Sequence, residues 1–246
     1  MVPESFFLKF YHKSISQLAH QLPRLVSDKL AIQSMFYLSV GYPLDLKHPK
    51  TFCEKLNWLK LYDHNPLYTL LTDKVKVKDY ITNKIGSEYL IPTIGVWDKV
   101  EDIDFEKLPN QFVIKCNHNS GIGLYVCRDK SFMDVEKVKH DLKDGLKENY
   151  YYRWREWPYK NIPRRILAEK YLTDDSGEDL RDYKFFCFDG VPRFMYVASD
   201  RNVSGEETKF DFFDMDFNHL PITNGHPNSS KEIGCPKFCD IIFEIC

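Results

Sequence analysis

A lysine near the end of an apolar run, followed by a glycine-containing turn, is the first pattern in this sequence that suggests chemistry. The run FVIKCNHNSGIGLYVC places Lys115 before the turn and Gly121 and Gly123 within it. Glycine permits positive φ and close backbone approach, so the N–H groups of the turn can face an anion while the lysine adds a point charge. The pattern predicts a phosphate site, with an ordinary hairpin and a solvent-exposed lysine as the alternative.

Two further segments combine charged residues with apolar strand-like runs. In RRILAEKYL, Glu169 and Lys170 end an apolar run that could receive a nucleotide base. In LRDYKFFCF, Asp182 and Lys184 are two residues apart and therefore share one strand face, where the acid could accept hydrogen bonds from ribose hydroxyls. A surface ion pair and a solvated strand face are the simpler alternatives, and only the order of the segments favours a nucleotide site.

Helices are predicted to precede these strands. Two helices lie within residues 5–41, and a third begins after Thr51, where Glu54 completes a T-x-x-E capping box. Phe52, Leu56 and Leu59 are expected to form the apolar face of this third helix, with Trp58 on its flank. A further helix is predicted to follow Thr72 or Asp73 and to end at Gly86.

From residue 88 onward, short β-prone runs dominate and are broken by Pro, Gly and Asn. One helix is predicted over about residues 134–149, and the pair Asp189-Gly190 predicts a hairpin. Hairpins with helices inserted between them indicate an α+β fold with mostly antiparallel sheets and flanking helices. The aromatic cluster over residues 150–157 is expected to cover the sheet, with Trp154 and Trp157 packed and the arginines exposed or facing an anionic substrate.

Composition excludes several classes of protein. The 34 basic and 36 acidic residues leave a net charge of −2, so the chain is not a polycation built to coat nucleic acid. We find no apolar run long enough to span a bilayer and no basic segment before an apolar run at the start, and therefore expect a cytoplasmic protein. The seven cysteines form no CxxC pair, which predicts reduced thiols, with Cys116, Cys127 and Cys187 buried in strands.

The order of these segments resembles that of the nucleotide-binding segments in the ATP-grasp superfamily. Their amino-acid sequences resemble the teichuronopeptide-biosynthesis (TupA-like) branch of that superfamily, which occurs in bacterial surface-polysaccharide loci. The resemblance covers about residues 48–235 and includes TFCEKLNWLKLYD, EYLIPTIGVWD, FVIKCNHNSG, REWPYKNIPRRILAEKYL and DYKFFCFDGVPRF. It implies a helical N-terminal segment over residues 1–50 and an ATP-grasp-like domain over 51–246. Within that domain we expect a small lysine-hairpin subdomain at about 73–168 and a C-terminal subdomain at 169–246.

The resemblance also implies roles for individual residues. Lys74 and Lys115 match the two lysines that contact ATP phosphates, and Ser120, Gly121 and Gly123 fall in the mobile loop that closes over them. Glu169, Lys170 and Leu172 match the segment that holds adenine, and Asp182 matches the acidic residue on the ribose. Lys184 and Arg193 are expected as additional anion contacts.

The metal site is where the sequence departs from the family. ATP-grasp enzymes use ATP and magnesium to phosphorylate a carboxylate, and an amine or another nucleophile then displaces the phosphate. The family's R-x-D and F-G-E-L-T ligands have no counterpart here, and Asp240 and Glu244 are spaced as on one helix face. We therefore expect the magnesium ligands, and the rest of the C-terminal subdomain, to be missing because the chain is truncated or frameshifted.

Three functions follow as hypotheses. The first is an ATP-dependent ligase that modifies a glycan or its uronic acid in surface-polysaccharide biosynthesis. The second is a glycosyltransferase, because Asp214-Met215-Asp216 has the letters of a metal-binding D-x-D and NYYYRWREWPY could stack on sugars. The third is a catalytically degenerate nucleotide-binding protein. Nucleic acid is not expected as a partner.

Overall fold

A computed structural model describes residues 4–173, 180–201, 203 and 205–236, with only the backbone described for residues 4–6. The chain divides into two compact units, Met1–Tyr171 and Leu172–Cys246. The first unit contains the described helices and one sheet, and the second contains a separate sheet. The predicted α+β fold with mostly antiparallel sheets is confirmed, and it is consistent with an ATP-grasp-like architecture.

The helices of the first unit begin and end where short-range sequence signals place them. Thr51 and Glu54 form the predicted capping box at one N-terminus, and Gly41 ends the second helix in the left-handed conformation at φ 87°. The helices are α1 (Glu4–Gln21), α2 (Asp28–Val40), α3 (Phe52–Tyr62), α4 (Pro66–Thr72), α5 (Lys76–Ile85), α6 (Val135–Lys147) and α7 (Tyr151–Trp154). No helix among the described residues is both long enough and apolar enough to cross a membrane.

One antiparallel sheet organises the first unit. Its strands are β1 (Thr93–Trp97), β2 (Phe112–Cys116), β3 (Leu124–Cys127) and β4 (Ile166–Lys170), in the order β1-β4-β2-β3. Phe112, Ile114 and Cys116 alternate along β2 toward a core that also receives Leu142 of α6. Because strand side chains alternate, Lys115 lies on the opposite face of the sheet from this core.

The second unit is built on a sheet of four consecutive antiparallel strands. They are β5 (Asp182–Phe188), β6 (Val191–Ser199), β7 (Lys209–Asp214) and β8 (His219–Leu220). The predicted hairpin is confirmed, since Asp189 and Gly190 join β5 to β6 with φ values of 52° and 73°. Met195, Val197 and Phe213 form the core of this unit together with Ile233.

Two expectations about burial are wrong. The apolar face predicted for α3 is largely exposed, since Phe52 is 49% exposed and Leu56 and Leu59 are each 41% exposed. Cys187 is exposed rather than buried, since the register of β5 shifts between Phe186 and this residue near the hairpin turn. Cys116 and Cys127 are buried as predicted, and the described cysteines are free thiols.

The aromatic cluster over residues 150–157 also differs from expectation. Trp154 is 52% exposed, whereas Arg155 is almost fully buried. Arg155 ends α7 in the left-handed conformation, and its guanidinium donates to a carboxylate oxygen of Asp28 at 2.9 Å and to the carbonyl oxygen of Pro23 at 2.9 Å. The arginine is therefore a structural tie between α7 and the start of α2.

Candidate functional site

Lys115 and Glu169 lie on neighbouring strands of the first unit, with their side chains on the same face of the sheet. In the β2–β4 register Lys115 pairs with Leu167 and Val113 pairs with Glu169, so the two charged residues are diagonal neighbours. Lys115 Nζ lies 2.5 Å from Glu169 Oε2. The lysine side chain is 24% exposed and that of the glutamate only 6%, so the cation faces outward from a buried carboxylate.

A third residue completes this arrangement from helix α5. Lys78 Nζ lies 2.6 Å from Glu169 Oε1 and also donates to the carbonyl oxygen of Ile91 at 2.6 Å. Both oxygens of Glu169 are thus bound by ammonium groups. Burial by itself raises the pKa of Glu169, but the hydrogen bonds from Lys115 and Lys78 outweigh it and hold the pKa below its usual value.

Lys74 approaches the same group of charges from the segment before α5. Its Nζ donates to the carbonyl oxygens of Asn117 at 3.2 Å and of Asn119 at 2.7 Å. Burial, followed by the positive charge of Lys115, lowers the pKa of Lys74. The ammonium of Lys74 is therefore held by two backbone carbonyl oxygens at the base of the turn that follows β2, close to the positive charge of Lys115.

The base of that turn is fixed by buried polar side chains. Asn117 is fully buried and donates to Asp73 Oδ1 at 2.8 Å and to the carbonyl oxygen of Pro163 at 2.9 Å. Its own side-chain oxygen accepts from the backbone N–H of Arg165 at 2.7 Å. Asp73 is also fully buried, and Arg165 lies 3.6 Å from its second oxygen. This network sets the position of the backbone to which Lys74 binds.

The rest of the turn divides into an anchored part and an open tip. Asn119 donates to the carbonyl oxygen of Gly145 in α6 at 2.7 Å. Gly123 also packs closely on Gly145, since a Cβ on Gly123 would lie 3.1 Å from the Cα of Gly145. Gly121 has a positive φ of 87° and no atom near the position of a Cβ. Ser120, beside it, is exposed, so the tip is open to an approaching ligand.

The remaining predicted residues are Lys170, at the end of β4, and residues of the second unit. Lys170 is exposed at the end of β4, and its backbone N–H donates to the carbonyl oxygen of Pro92 at 2.9 Å. Leu172 begins the second unit. Within that unit Asp182 forms an ion pair with Arg201 and lies 3.7 Å from Lys184 Nζ, which confirms that Asp182 and Lys184 share a strand face.

Magnesium has no matching ligand set in the part of the chain that the structure describes. No group of three or more His, Cys, Asp or Glu side chains there could hold a metal ion. Asp240 and Glu244 lie outside the described residues. Asp214, the first acid of the D-x-D, accepts from the backbone N–H groups of Asp216 and Asn218 and from the Asn218 side chain, so its carboxylate shapes the β7–β8 turn.

Several residues of the site are not predicted from the sequence. Lys78 is one, although it lies only four positions after Lys74 in the sequence. The polar triplet Asn117-His118-Asn119 directly after a buried strand is another signal, because all three side chains are buried and hydrogen-bonded. Chemically, the cluster combines three lysines with one buried glutamate beside an open glycine turn, which suits a multiply charged anion.

The sequence also matches a known protein family. The sequence model described as TupA-like ATPgrasp matches residues 54–239, which is most of the chain. Neither the curated proteins nor the solved structures contain a significant match. The family implies nucleotide binding, and the matched range contains the lysine cluster, the glycine turn and both sheets. On this match, the chain belongs to the TupA-like ATP-grasp family.

Proposed function

We propose that this protein is an ATP-dependent ligase of bacterial surface-polysaccharide biosynthesis. It would activate a carboxylate as an acyl phosphate for attack by an amine or another nucleophile. The observation that carries the proposal is the pair of ammonium groups, Lys74 and Lys115, held beside the open turn that contains Gly121. Membership of the family supports the use of ATP, and the resemblance of the sequence to proteins of polysaccharide loci supports the biological setting.

The charge balance of the cluster supports a polyphosphate ligand. Lys74, Lys78, Lys115 and Arg165 bring four positive charges, and the carboxylates of Glu169 and Asp73 neutralise only part of them. In a partly buried site, charges interact more strongly than in water, so an anion gains most where cations are in excess. We infer that Lys115 and Lys74 contact the phosphates, and that Lys78 holds Glu169 in place.

The face of the sheet around Lys115 supports binding of a nucleotide base. Leu124 lies directly opposite Lys115 in the β2–β3 register and is 46% exposed. Val96, on β1 at the opposite edge of the same face, is also exposed. Aliphatic side chains of this kind offer apolar area to a flat base. The proposal assigns the adenine to the end of β4, with Glu169, Lys170 and Leu172. For the second unit, we propose that Asp182 contacts the ribose and that Lys184 contacts a phosphate.

The proposed reaction has two steps. A substrate carboxylate oxygen attacks the γ-phosphorus of ATP, so the bond to the ADP oxygen breaks and an acyl phosphate forms. The nucleophile then attacks the acyl carbon, phosphate leaves, and the amine releases one proton. The lysines would stabilise the charge on the phosphates in the first step. No step is assigned to magnesium, for which no group of three or more ligating side chains is found among the described residues. Since ATP is a cytoplasmic substrate, we propose a cytoplasmic protein.

The proposal is tested by measuring ADP and phosphate release with a panel of uronic acids and amines. Acceptor-dependent release of both products that is lost in Lys115→Met would support a ligase. Cleavage of a UDP-sugar without ATP turnover would instead favour the glycosyltransferase hypothesis. That hypothesis is weakened by Asp214, whose carboxylate already accepts three hydrogen bonds within its own turn.

A further inference from the structure

A cleft lies in the first unit, between α3 and α4 on one side and the turn over residues 157–159 on the other. Its volume is about 480 Å³, which falls within the usual range for small-molecule sites. Its apolar lining includes Leu56, Leu59, Trp157 and Tyr159. Leu56 and Leu59, whose exposure contradicts the amphipathic pattern of the sequence, therefore belong to the wall of a cleft.

The aromatic rings of the cleft are held in place by their neighbours. Trp157 stacks on His64 with ring centroids 4.9 Å apart and 11° between the planes. His64 is not among the described residues that line the cleft, so the cleft meets Trp157 away from the His64 ring. Tyr159 packs against Tyr150 at 4.7 Å. Rings fixed in this way lose little freedom when a ligand packs on them.

Polar groups with unmet hydrogen-bonding capacity surround this apolar wall. Among the described residues, no hydrogen bond or ion pair within 4 Å is found for the ammonium of Lys60 or the carboxylate of Glu156. Burial lowers the pKa of Lys60, although the charge of Glu156 opposes this effect. Asp63 accepts from the Tyr68 hydroxyl at 3.0 Å through Oδ2 and retains its other oxygen as an acceptor.

We propose that this cleft binds a pyranose residue of a saccharide. A pyranose has an apolar face of C–H groups that packs on an aromatic ring, and hydroxyls at its rim that need both donors and acceptors. Lys60 offers donors, whereas Glu156 and Asp63 offer acceptors. A nucleoside phosphate suits the cleft less well, because the two carboxylates would repel it. Lys60 can also pair with the carboxylate of a hexuronate.

The binding claim rests on the cleft alone, but the role of the sugar as acceptor rests on the proposed function. Helix α4 connects the two places: Tyr68 of α4 lines the cleft, and Asp73, which ends the helix, directly precedes Lys74. A helix of seven residues is about 10 Å long. A saccharide chain held in the cleft could therefore extend toward the lysine cluster.

The proposal is tested with the full chain by ligand-observed NMR titration of two tetrasaccharides. Maltotetraose is the neutral probe, and a hyaluronate tetrasaccharide is the probe that contains glucuronate. We expect at least one to bind, and Trp157→Ala to weaken binding on the order of tenfold because stacking area is lost. The matched control is Trp154→Ala, since Trp154 is exposed and does not line this cleft. Trp157→Phe should retain part of the affinity if Trp157→Ala fails to fold.

Charge variants identify which sugar the cleft prefers. If a hexuronate binds through Lys60, Lys60→Met lowers affinity for the hyaluronate probe more than for maltotetraose. Lys55→Met, on an exposed residue of the same helix, changes neither affinity. Failure of both probes to bind, or equal losses in Trp157→Ala and Trp154→Ala, would overturn the proposal. An ATP titration of the same samples keeps the two proposals separate. ATP binding without saccharide binding contradicts only the cleft assignment, and the reverse contradicts only the ATP-dependent function.

Discussion

Glu169 Oε2 accepts from Lys115 Nζ at 2.5 Å, so the outward-facing lysine is oriented by a carboxylate that is itself buried. The same carboxylate binds Lys78 through its other oxygen at 2.6 Å. A lysine on a flexible stem loses rotamer freedom when it binds a ligand, and this ion pair removes part of that freedom in advance. Lys115 is therefore preorganised to bind an anion. We expect removal of Lys115 to lower ATP affinity and removal of Lys78 to lower stability.

Lys115→Met should weaken ATP binding by about 1.5–3 kcal/mol, because one charge-assisted hydrogen bond to phosphate is lost. Calorimetric titration measures the change, with Lys99→Met as the control because Lys99 is exposed on the same unit. The fold should persist, since Lys78 still neutralises Glu169. An unchanged affinity would show that Lys115 does not contact the nucleotide.

Lys78→Met should mainly lower stability. Lys78 Nζ is committed to Glu169 and to the carbonyl oxygen of Ile91, so its loss leaves two acceptors without a donor. We expect the free energy of unfolding to fall by about 1–3 kcal/mol, measured by urea denaturation. Lys76→Met is the control on the same helix, since Lys76 is exposed. A large loss of ATP affinity without a loss of stability would instead place Lys78 among the ligand contacts.

The pH dependence of stability should report on Glu169. Its pKa is lowered in the folded state, so the ionised carboxylate stabilises the fold at neutral pH, and this contribution is lost as the pH falls through the folded pKa. Glu169→Gln removes the contribution at every pH. The stability difference between the two proteins should therefore be largest near pH 7 and shrink below about pH 4, near the unfolded value. A difference that stays constant in acid would mean that the ion pairs contribute nothing.

Two glycines in the same turn offer a matched test of how the turn is anchored. Gly123→Ala introduces a Cβ 2.7 Å from Cys116 Sγ and 3.1 Å from Gly145 Cα at a φ of 65°, whereas Gly121→Ala meets only the cost of a positive φ. We expect about 1–2 kcal/mol for Gly121→Ala and a larger loss for Gly123→Ala. Thermal denaturation compares the two. Equal losses would argue against close packing of the turn on α6.

Asp28→Asn should destabilise the first unit through Arg155. The buried guanidinium donates to Asp28 Oδ1, and the Tyr151 hydroxyl donates to Oδ2. Because Asp28 is partly exposed, we expect a loss near the lower end of about 1.5–3 kcal/mol, the range for hydrogen bonds to charged groups. Asp98→Asn, on an exposed residue, is the control in the same denaturation series. Identical midpoints for the two variants would count against a structural role of Arg155.

Short-range signals predict the local structure of this chain well. Thr51 and Glu54 lie three residues apart, and Asp189-Gly190 is a dipeptide. The capping box and the hairpin turn can therefore be predicted without knowledge of the fold. The order of Lys74, Lys115 and Glu169 also indicates a nucleotide site. The partners of Glu169 are not readable in this way, because Lys78 lies 91 positions earlier and meets it through the packing of α5 beside the sheet.

Burial is the property that sequence patterns predict least well here. Leu56 and Leu59 have helical spacing, yet each is 41% exposed, because both line a cleft. Arg155 lies in a polar, aromatic stretch that reads as surface, but Asp28 and the Pro23 carbonyl satisfy its donors in the interior. In both cases the outcome depends on a partner distant in sequence, which periodicity alone does not contain.

The most direct test of the central claim is a calorimetric titration of the full chain with ATP and with a panel of UDP- and GDP-sugars. The lysine cluster predicts that ATP binds in preference to the sugar nucleotides, and that Lys115→Met weakens ATP binding while Lys99→Met does not. Tight binding of a UDP-sugar with no signal from ATP would contradict the account.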